Sequence, residues 1–339
     1  MRRAAYVLAV AAGLVVVLIL TLAAFGLPVG ESLAYIWEGA LGDKFGRART
    51  LVRATPLVLC GLGIVVAWRA RMFNIGGEGQ YVLGGVCGAW AASFTGAPPG
   101  LQTFLILVSA GVGGALFAGL AGWLHVKRGV QVVISTILLN FVALQVLSYA
   151  VNGPLQEDSR MLPQTERLSE AVMFARFDPQ SDLHAGVFIA LAAAALLAIF
   201  LFLTKSGFRL RLAGENPEAA RVAGVDVGRT QLGAMLLSGA LCGLAGGVDY
   251  VGFIGHIGVG FPQNWGFLSI PVALLGALHP AGVLASGVFF GGLFAGSENL
   301  ARYSTVGGTV VYVLQAVAMM AYVGFKAWSD NRKTVREAI

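Results

Sequence analysis

Charge is what this sequence has least of. Only 12% of its 339 residues are Asp, Glu, Lys or Arg, about half the share of a soluble globular domain. So small a polar complement excludes a chain whose surface faces water on all sides. Cysteine is scarce as well. Cys60, Cys87 and Cys242 each lie in an apolar stretch, with neither a disulfide framework nor metal-ligand spacing, so they read as small packing residues. The four histidines, His125, His184, His256 and His279, stand far apart and supply no metal site. No phosphate-binding loop and no nucleophile–base motif occurs. The chain therefore carries no catalytic residue and no bound cofactor of its own, and does not hydrolyse ATP. Alternating strand patterns are missing too, which excludes a membrane β-barrel.

What is present is apolar sequence from end to end. Hydrophobic residues make up 57% of the chain, and mean hydropathy is +0.78. A bilayer core needs about 20 apolar residues per helix. Candidate spans fall at 4–25, 54–70, 77–95, 101–124, 130–151, 184–203, 230–250, 266–279, 281–298 and 306–326. The fold class is all-α and polytopic, with about ten membrane helices in a single domain over 1–339. The 47 glycines suit such a protein, because small residues let helix backbones approach closely.

The net charge of +6 follows the positive-inside rule and implies no nucleic-acid partner. Arg69 and Arg71, Lys127 and Arg128, the segment 204–229, and the tail residues Lys326, Arg332, Lys333 and Arg336 fall on the cytoplasmic side. The loop 152–183, with six acids and three arginines, falls outside. An even number of spans places both termini in the cytoplasm of a bacterial-type inner membrane. Residues 28–53 form an amphipathic connection whose slight basic excess runs against the charge rule.

Three stretches carry chemistry. In "GENPEAARVAG", Asn216 reads as an N-cap, Pro217 as the first helical residue and Glu218 as first-turn acid. Ala219, Ala220, Val222 and Ala223 continue a short helix, Gly224 ends it, and Gly214 and Glu215 lead in through a turn at Gly214. A short amphipathic helix between spans is suited to a groove on a soluble partner. The second stretch, "FNIGGEGQYVLGG" at 73–85, sets Asn74, Glu78 and Gln80 among glycines at the edge of a span. Two readings are open: an unwound segment lining a solute path, or a cytoplasmic turn with Glu78 paired to Arg69 or Arg71. The third, 264–287, is interrupted by Pro271 and His279-Pro280, giving a short span and a tight turn. His279 caps that turn, or acts as a gate or a ligand. Asp249 and Glu298 read as interfacial acids. So few intramembrane carboxylates argue against a proton-driven carrier.

"FNIGGEGQ", "VVISTILLN" (132–140), "KSGFRLRLAGENPEAARVAGVDVGRT" (205–230), "LSGALCGLAGG" (237–247) and "VALLGALHPAGVL" (272–284) follow one another in order. Together they resemble the inner-membrane permeases of ABC importers for branched-chain amino acids, ribose-type sugars and nucleosides, over residues 50–325. The first two point to the simple-sugar or nucleoside branch. The chain departs from that branch at Gln131 and Val132, where an Asn-Glu pair is common, and at Pro271, where a small residue is expected. The resemblance implies a fold like type II ABC importers. It implies a path between two permeases, the heterodimer favoured over the homodimer. An ABC ATPase binds ATP and Mg, and an external binding protein or lipoprotein delivers the solute. The 204–229 loop, with Gly214, Glu215, Asn216, Pro217, Glu218, Ala219, Ala220, Ala223 and Gly224, is then the coupling element. Nucleosides are the first expectation for the solute and ribose-type sugars the second. A stand-alone secondary transporter or channel is the alternative from another class.

Overall fold

Long apolar runs punctuated by charged turns fold as helices, because a bilayer offers backbone groups no hydrogen-bond partner but themselves. The computed structural model of the chain describes residues 18–94, 96–178 and 180–303, with scattered positions outside them. Half of the span expected at 4–25 and most of the one at 306–326 fall outside the described residues. Two compact units emerge, residues 51–289 and residues 1–50 with 290–339.

The described helices are α1 (Val29–Trp37), α2 (Lys44–Arg69), α3 (Gly77–Phe94), α4 (Pro99–Arg128), α5 (Val132–Val151) and α6 (Gly186–Leu203), then α7 (Lys205–Glu215), α8 (Pro217–Val222), α9 (Val227–Asp249), α10 (Trp265–Leu275) and α11 (Pro280–Tyr303). π-helical turns follow α1 and α9, at Glu38–Gly42 and Tyr250–Ile254. Six described segments are long and apolar enough to cross a membrane: α2, α4, α5, α6, α9 with its π turn, and α11. At 11 residues, α10 is shorter than a bilayer is thick. It is followed by a turn in which Ala277 and Leu278 take left-handed φ values of 53° and 51°.

In the larger unit α3 is enclosed by α4, α5, α9 and α10. The tightest approach is set by glycine. A side chain at Gly114 on α4 would strike the backbones of Gly239 and Gly243 on α9. Gly239, Gly243 and Gly247 recur every four residues, the spacing of one helix face. That stripe is why α9 lies against α4 along much of its length. At the other end of α4, Gly129 closes the helix at φ 69°, its N–H bonding to the His125 carbonyl.

The smaller unit corrects the expectation for residues 28–53. They are largely helical rather than a loop, and α2 begins at Lys44. Asp43 Oδ1 accepts the Gly46 N–H at 2.6 Å, an N-cap. Lys44, Arg47, Arg49 and Arg53 therefore belong to the first turns of a long helix. In the same unit Leu22, Ile36 and Leu300 form a buried cluster. Asn299 donates to the Tyr35 carbonyl at 2.9 Å, and Thr50 to the Ala40 carbonyl at 2.7 Å.

The loop 152–183 is stitched to the chain that follows α9. The N–H groups of Thr165, Leu168 and Phe174 donate to the carbonyls of Ile257, Gly255 and Val251 at 2.8, 2.8 and 2.9 Å. His184 is fully buried beneath it, stacked on Phe174.

Candidate functional site

The glycine-rich break between α2 and α3 is a closed polar lock. The chain leaves α2 through Arg71 at φ 62°, runs without helix from Phe73 to Gly76, and starts α3 at Gly77. Asn74 and Gln80 bond reciprocally, each amide nitrogen donating to the other's oxygen at 3.0 Å. Asn74 Nδ2 also donates to Ser238 Oγ on α9 at 2.9 Å, and Asn74 Oδ1 accepts the Gly76 N–H at 2.9 Å. Asn140 on α5 completes the lock: its Oδ1 accepts the Gly79 N–H at 2.8 Å and its Nδ2 donates to the Ile75 carbonyl at 3.0 Å. Asn140, from the "VVISTILLN" stretch, is a member of the site that residue-by-residue reading left unassigned.

Glu78 does something else. It is nine-tenths or more buried, and its two oxygens accept the backbone N–H groups of Asn264 at 2.9 Å and Gly266 at 2.8 Å. Those donors open α10, so the carboxylate caps a helix start and faces the positive end of its dipole. Of the two readings, the pairing of Glu78 with Arg69 or Arg71 is not the arrangement found. Arg69 Nε donates to the Leu278 carbonyl at 2.7 Å instead. Close approach is possible because residue 266 is glycine; a side chain there would strike the backbone of Gly77 and Glu78. Asn74, Glu78 and Gln80 are thus brought together on one segment, with their polar atoms directed to other parts of the chain.

The segment 204–229 forms two helices. Thr204 Oγ1 caps α7 by accepting the Gly207 N–H at 3.0 Å. Asn216 Oδ1 caps α8, accepting from Glu218 and Ala219 at 3.1 and 3.0 Å, with Pro217 at the first helical position as the sequence suggests. Gly224 follows α8 at φ 78°. Two details differ from expectation. Gly214 lies inside α7 rather than at a turn, and its missing side chain lets the helix touch the Arg69 backbone. Ala220 faces inward, fully buried against Ala213 and Val227, so it packs α8 in place. The outward face carries Glu218, Ala219, Arg221, Val222 and Ala223, with Glu215 exposed before it. Val222 is 91% exposed. The Phe202 ring at the end of α6 ties the pair to the spans: the guanidinium carbons of Arg69 and Arg211 lie 5.6 and 5.3 Å from its centroid, and His279 stacks on it at 5.0 Å. His279 Nδ1 accepts the Ala281 N–H at 3.2 Å, the turn-capping role.

One acid has a partner that its sequence does not reveal. Asp249 is buried at the end of α9, and its Oδ2 accepts the Tyr81 hydroxyl at 2.8 Å. Trp265 hydrogen-bonds the same carboxylate. Nothing in the sequence ties Asp249 to a tyrosine 168 positions earlier. Among the described residues no group of three His, Cys, Asp or Glu is placed to hold a metal ion.

Residues 46–323 match the family model described as branched-chain amino acid transport system / permease component. Three curated proteins are similar over most of their length. The glucose ABC transporter permease protein TsgB13 of Haloferax volcanii is 34% identical over 300 residues, covering 86% of this chain and 79% of that protein. The guanosine ABC transporter permease protein NupP of Bacillus subtilis is 31% identical over 320 residues, covering 93% and 90%. The nucleoside ABC transporter permease protein NupB of Lactococcus lactis is 31% identical over 308 residues, covering 86% and 82%.

Proposed function

We propose that this chain, which belongs to the permease-component family of branched-chain amino acid transport systems and is a multi-pass permease subunit of an ABC importer rather than an enzyme, carries nucleosides inward. Ribose-type sugars are the second reading, supported by the glucose permease among the relatives. Membership in the family implies an ATPase and a substrate-binding partner. In the arrangement we favour, this chain contributes a single permease domain of about ten spans. It pairs with a second, different permease in a bacterial-type inner membrane, both termini cytoplasmic. ATP and Mg are bound by the ATPase, and an external binding protein or lipoprotein delivers the solute.

The observation that carries the mechanism is α8. It is a capped helix of six residues between two spans, and its outward face includes an almost fully exposed valine. A helix that buries only Ala220 in its own chain has an unpaired face for a soluble subunit. The ATPase pushes on α8. The push passes to α7 and through the Gly214–Arg69 contact to α2, which ends at the polar lock. The lock borders the solute path, and Asn74, Glu78 and Gln80 hold its wall in shape. Binding of the co-encoded external protein to a panel of nucleosides and pentoses tests the substrate. Nucleosides should bind at least tenfold more tightly than free ribose. Binding of pentoses alone would move the assignment to sugars.

A further inference from the structure

A small cavity beside the polar lock has the composition of a solute contact. Its volume is about 120 Å³, and its lining includes Arg53 and Val52 of α2, Asp249 at the end of α9, Phe253 of the π turn, Gln263 and Trp265. That is room for roughly four waters at about 30 Å³ each, enough for one five-membered sugar ring and too little for a whole nucleoside. A larger cavity of about 440 Å³, between α2, α6 and α11, has a purely apolar lining and offers a polar solute nothing.

We propose that the Arg53–Asp249–Gln263–Trp265 cavity holds the furanose ring of the solute, with the Asp249 carboxylate accepting its vicinal hydroxyls. The proposal rests on the nucleoside or ribose reading above. A carboxylate has about four acceptor positions; the Tyr81 hydroxyl and the Trp265 side chain use two. The Gln263 amide nitrogen donates to the Gly260 carbonyl at 3.2 Å, which leaves its oxygen as a second acceptor. Arg53 acts on the same Asp249 carboxylate through its charge and is held in a fixed geometry. Its guanidinium carbon lies 5.1 Å from the Phe253 ring centroid and 5.9 Å from that of Trp265, within cation–π range, so two aromatic rings orient it. Pro56 also lines the cavity and has no N–H, so the Val52 carbonyl lacks the helical donor four residues on. Acceptors and flat apolar faces together match a neutral ring that has hydroxyls on its edge and C–H groups on its faces. One positive and one negative side chain disfavour a solute of either net charge.

An amino-acid zwitterion is the competitor, since it could place its carboxylate on Arg53 and its ammonium on Asp249. The assembled importer, free of its binding protein and held in lipid nanodiscs, is titrated with tritiated uridine against unlabelled ribose, 2′,3′-dideoxyuridine and leucine. A site built to bind hydroxyls rejects analogues that lack them. Ribose should compete, dideoxyuridine should bind at least tenfold more weakly than uridine, and leucine should not compete. Asp249→Asn and Gln263→Leu should each weaken uridine binding at least tenfold. The second makes no change at Tyr81, and size-exclusion profiles of both variants report assembly. Absence of saturable uridine binding, equal competition by dideoxyuridine, displacement by leucine, or unchanged binding in both variants would overturn the proposal. Uptake driven by the binding protein separates the two claims. If the wild-type importer takes up uridine despite any of those results, the subsite is wrong and nucleoside transport stands. If it takes up neither uridine nor ribose, the transport reading itself fails.

Discussion

Replacing Glu78 by alanine removes one acceptor group and strands two donors. The carboxylate meets the Asn264 and Gly266 N–H groups at 2.9 and 2.8 Å, and both belong to the start of α10, where no intrahelical partner exists. A hydrogen bond to a charged group contributes about 1.5–3 kcal/mol. Two of them, made in a buried site, put the cost of Glu78→Ala at about 3–6 kcal/mol. Glu78→Gln keeps one good acceptor oxygen and loses the charge facing the helix dipole, so about half that cost is expected. The assay is thermal unfolding of the detergent-solubilised permease followed by size-exclusion fluorescence, with uptake measured on the reconstituted importer. Glu78→Ala should unfold at a clearly lower temperature than Glu78→Gln, and Glu78→Gln below wild type. Complexes that still assemble at low temperature should transport more slowly, because α10 and the lock share this contact. Wild-type unfolding temperature in Glu78→Ala would refute the capping argument, and unchanged uptake in an Asn74→Ala, Glu78→Ala, Gln80→Ala triple variant would remove the lock from the transport path.

Three other expectations follow from local geometry. Asn216→Ala leaves the Glu218 and Ala219 N–H groups without their acceptor and should cost about 1 kcal/mol of local helix stability, read as faster hydrogen exchange in α8. Ala220→Trp overpacks the buried contact with Ala213 and Val227 and should disorder the segment itself at a cost of about 1–3 kcal/mol; Val222→Asp, at an exposed position, should leave folding within about 0.5 kcal/mol and weaken ATPase pull-down. His184, outside the spans, has its pKa pushed down to about 4 by burial, with Arg176 adding to the effect and Asp182 opposing it. The unfolded chain then binds the extra proton first, so between about pH 6.5 and 4 the packing of the loop 152–183 should weaken as pH falls. Proteolysis of the loop should accelerate below pH 6 in wild type, and His184→Phe should flatten that dependence.

Much of the architecture is written in the apolar runs. The segments expected at 101–124, 130–151 and 184–203 match α4, α5 and α6 to within a few residues, because twenty apolar residues in lipid have one economical conformation. The cap at Asn216 was equally legible, since the capping side chain and its donors lie two and three residues apart. Partners distant in sequence were not. Glu78 is held by backbone N–H groups 186 and 188 positions away, and a backbone donor leaves no mark on the sequence. Asp249 stands at a span end, where acids usually sit, and only the fold reveals Tyr81 beside it. The inward turn of Ala220 was hidden for another reason: a helix of six residues is too short for periodicity to say which alanine faces inward. Arg53 sat in what read as a basic connection, and only the early start of α2 carries it to the cavity.

The central claim is that this chain moves nucleosides only as part of an ATP-driven assembly. Its most direct test is uptake of tritiated uridine into proteoliposomes containing this chain, the second permease and the ATPase, with binding protein and ATP supplied in turn. Accumulation above the external concentration is expected only when all components and ATP are present, with no uptake and no ATP hydrolysis by this chain alone. Concentrative uptake by the purified chain without the ATPase would contradict the account.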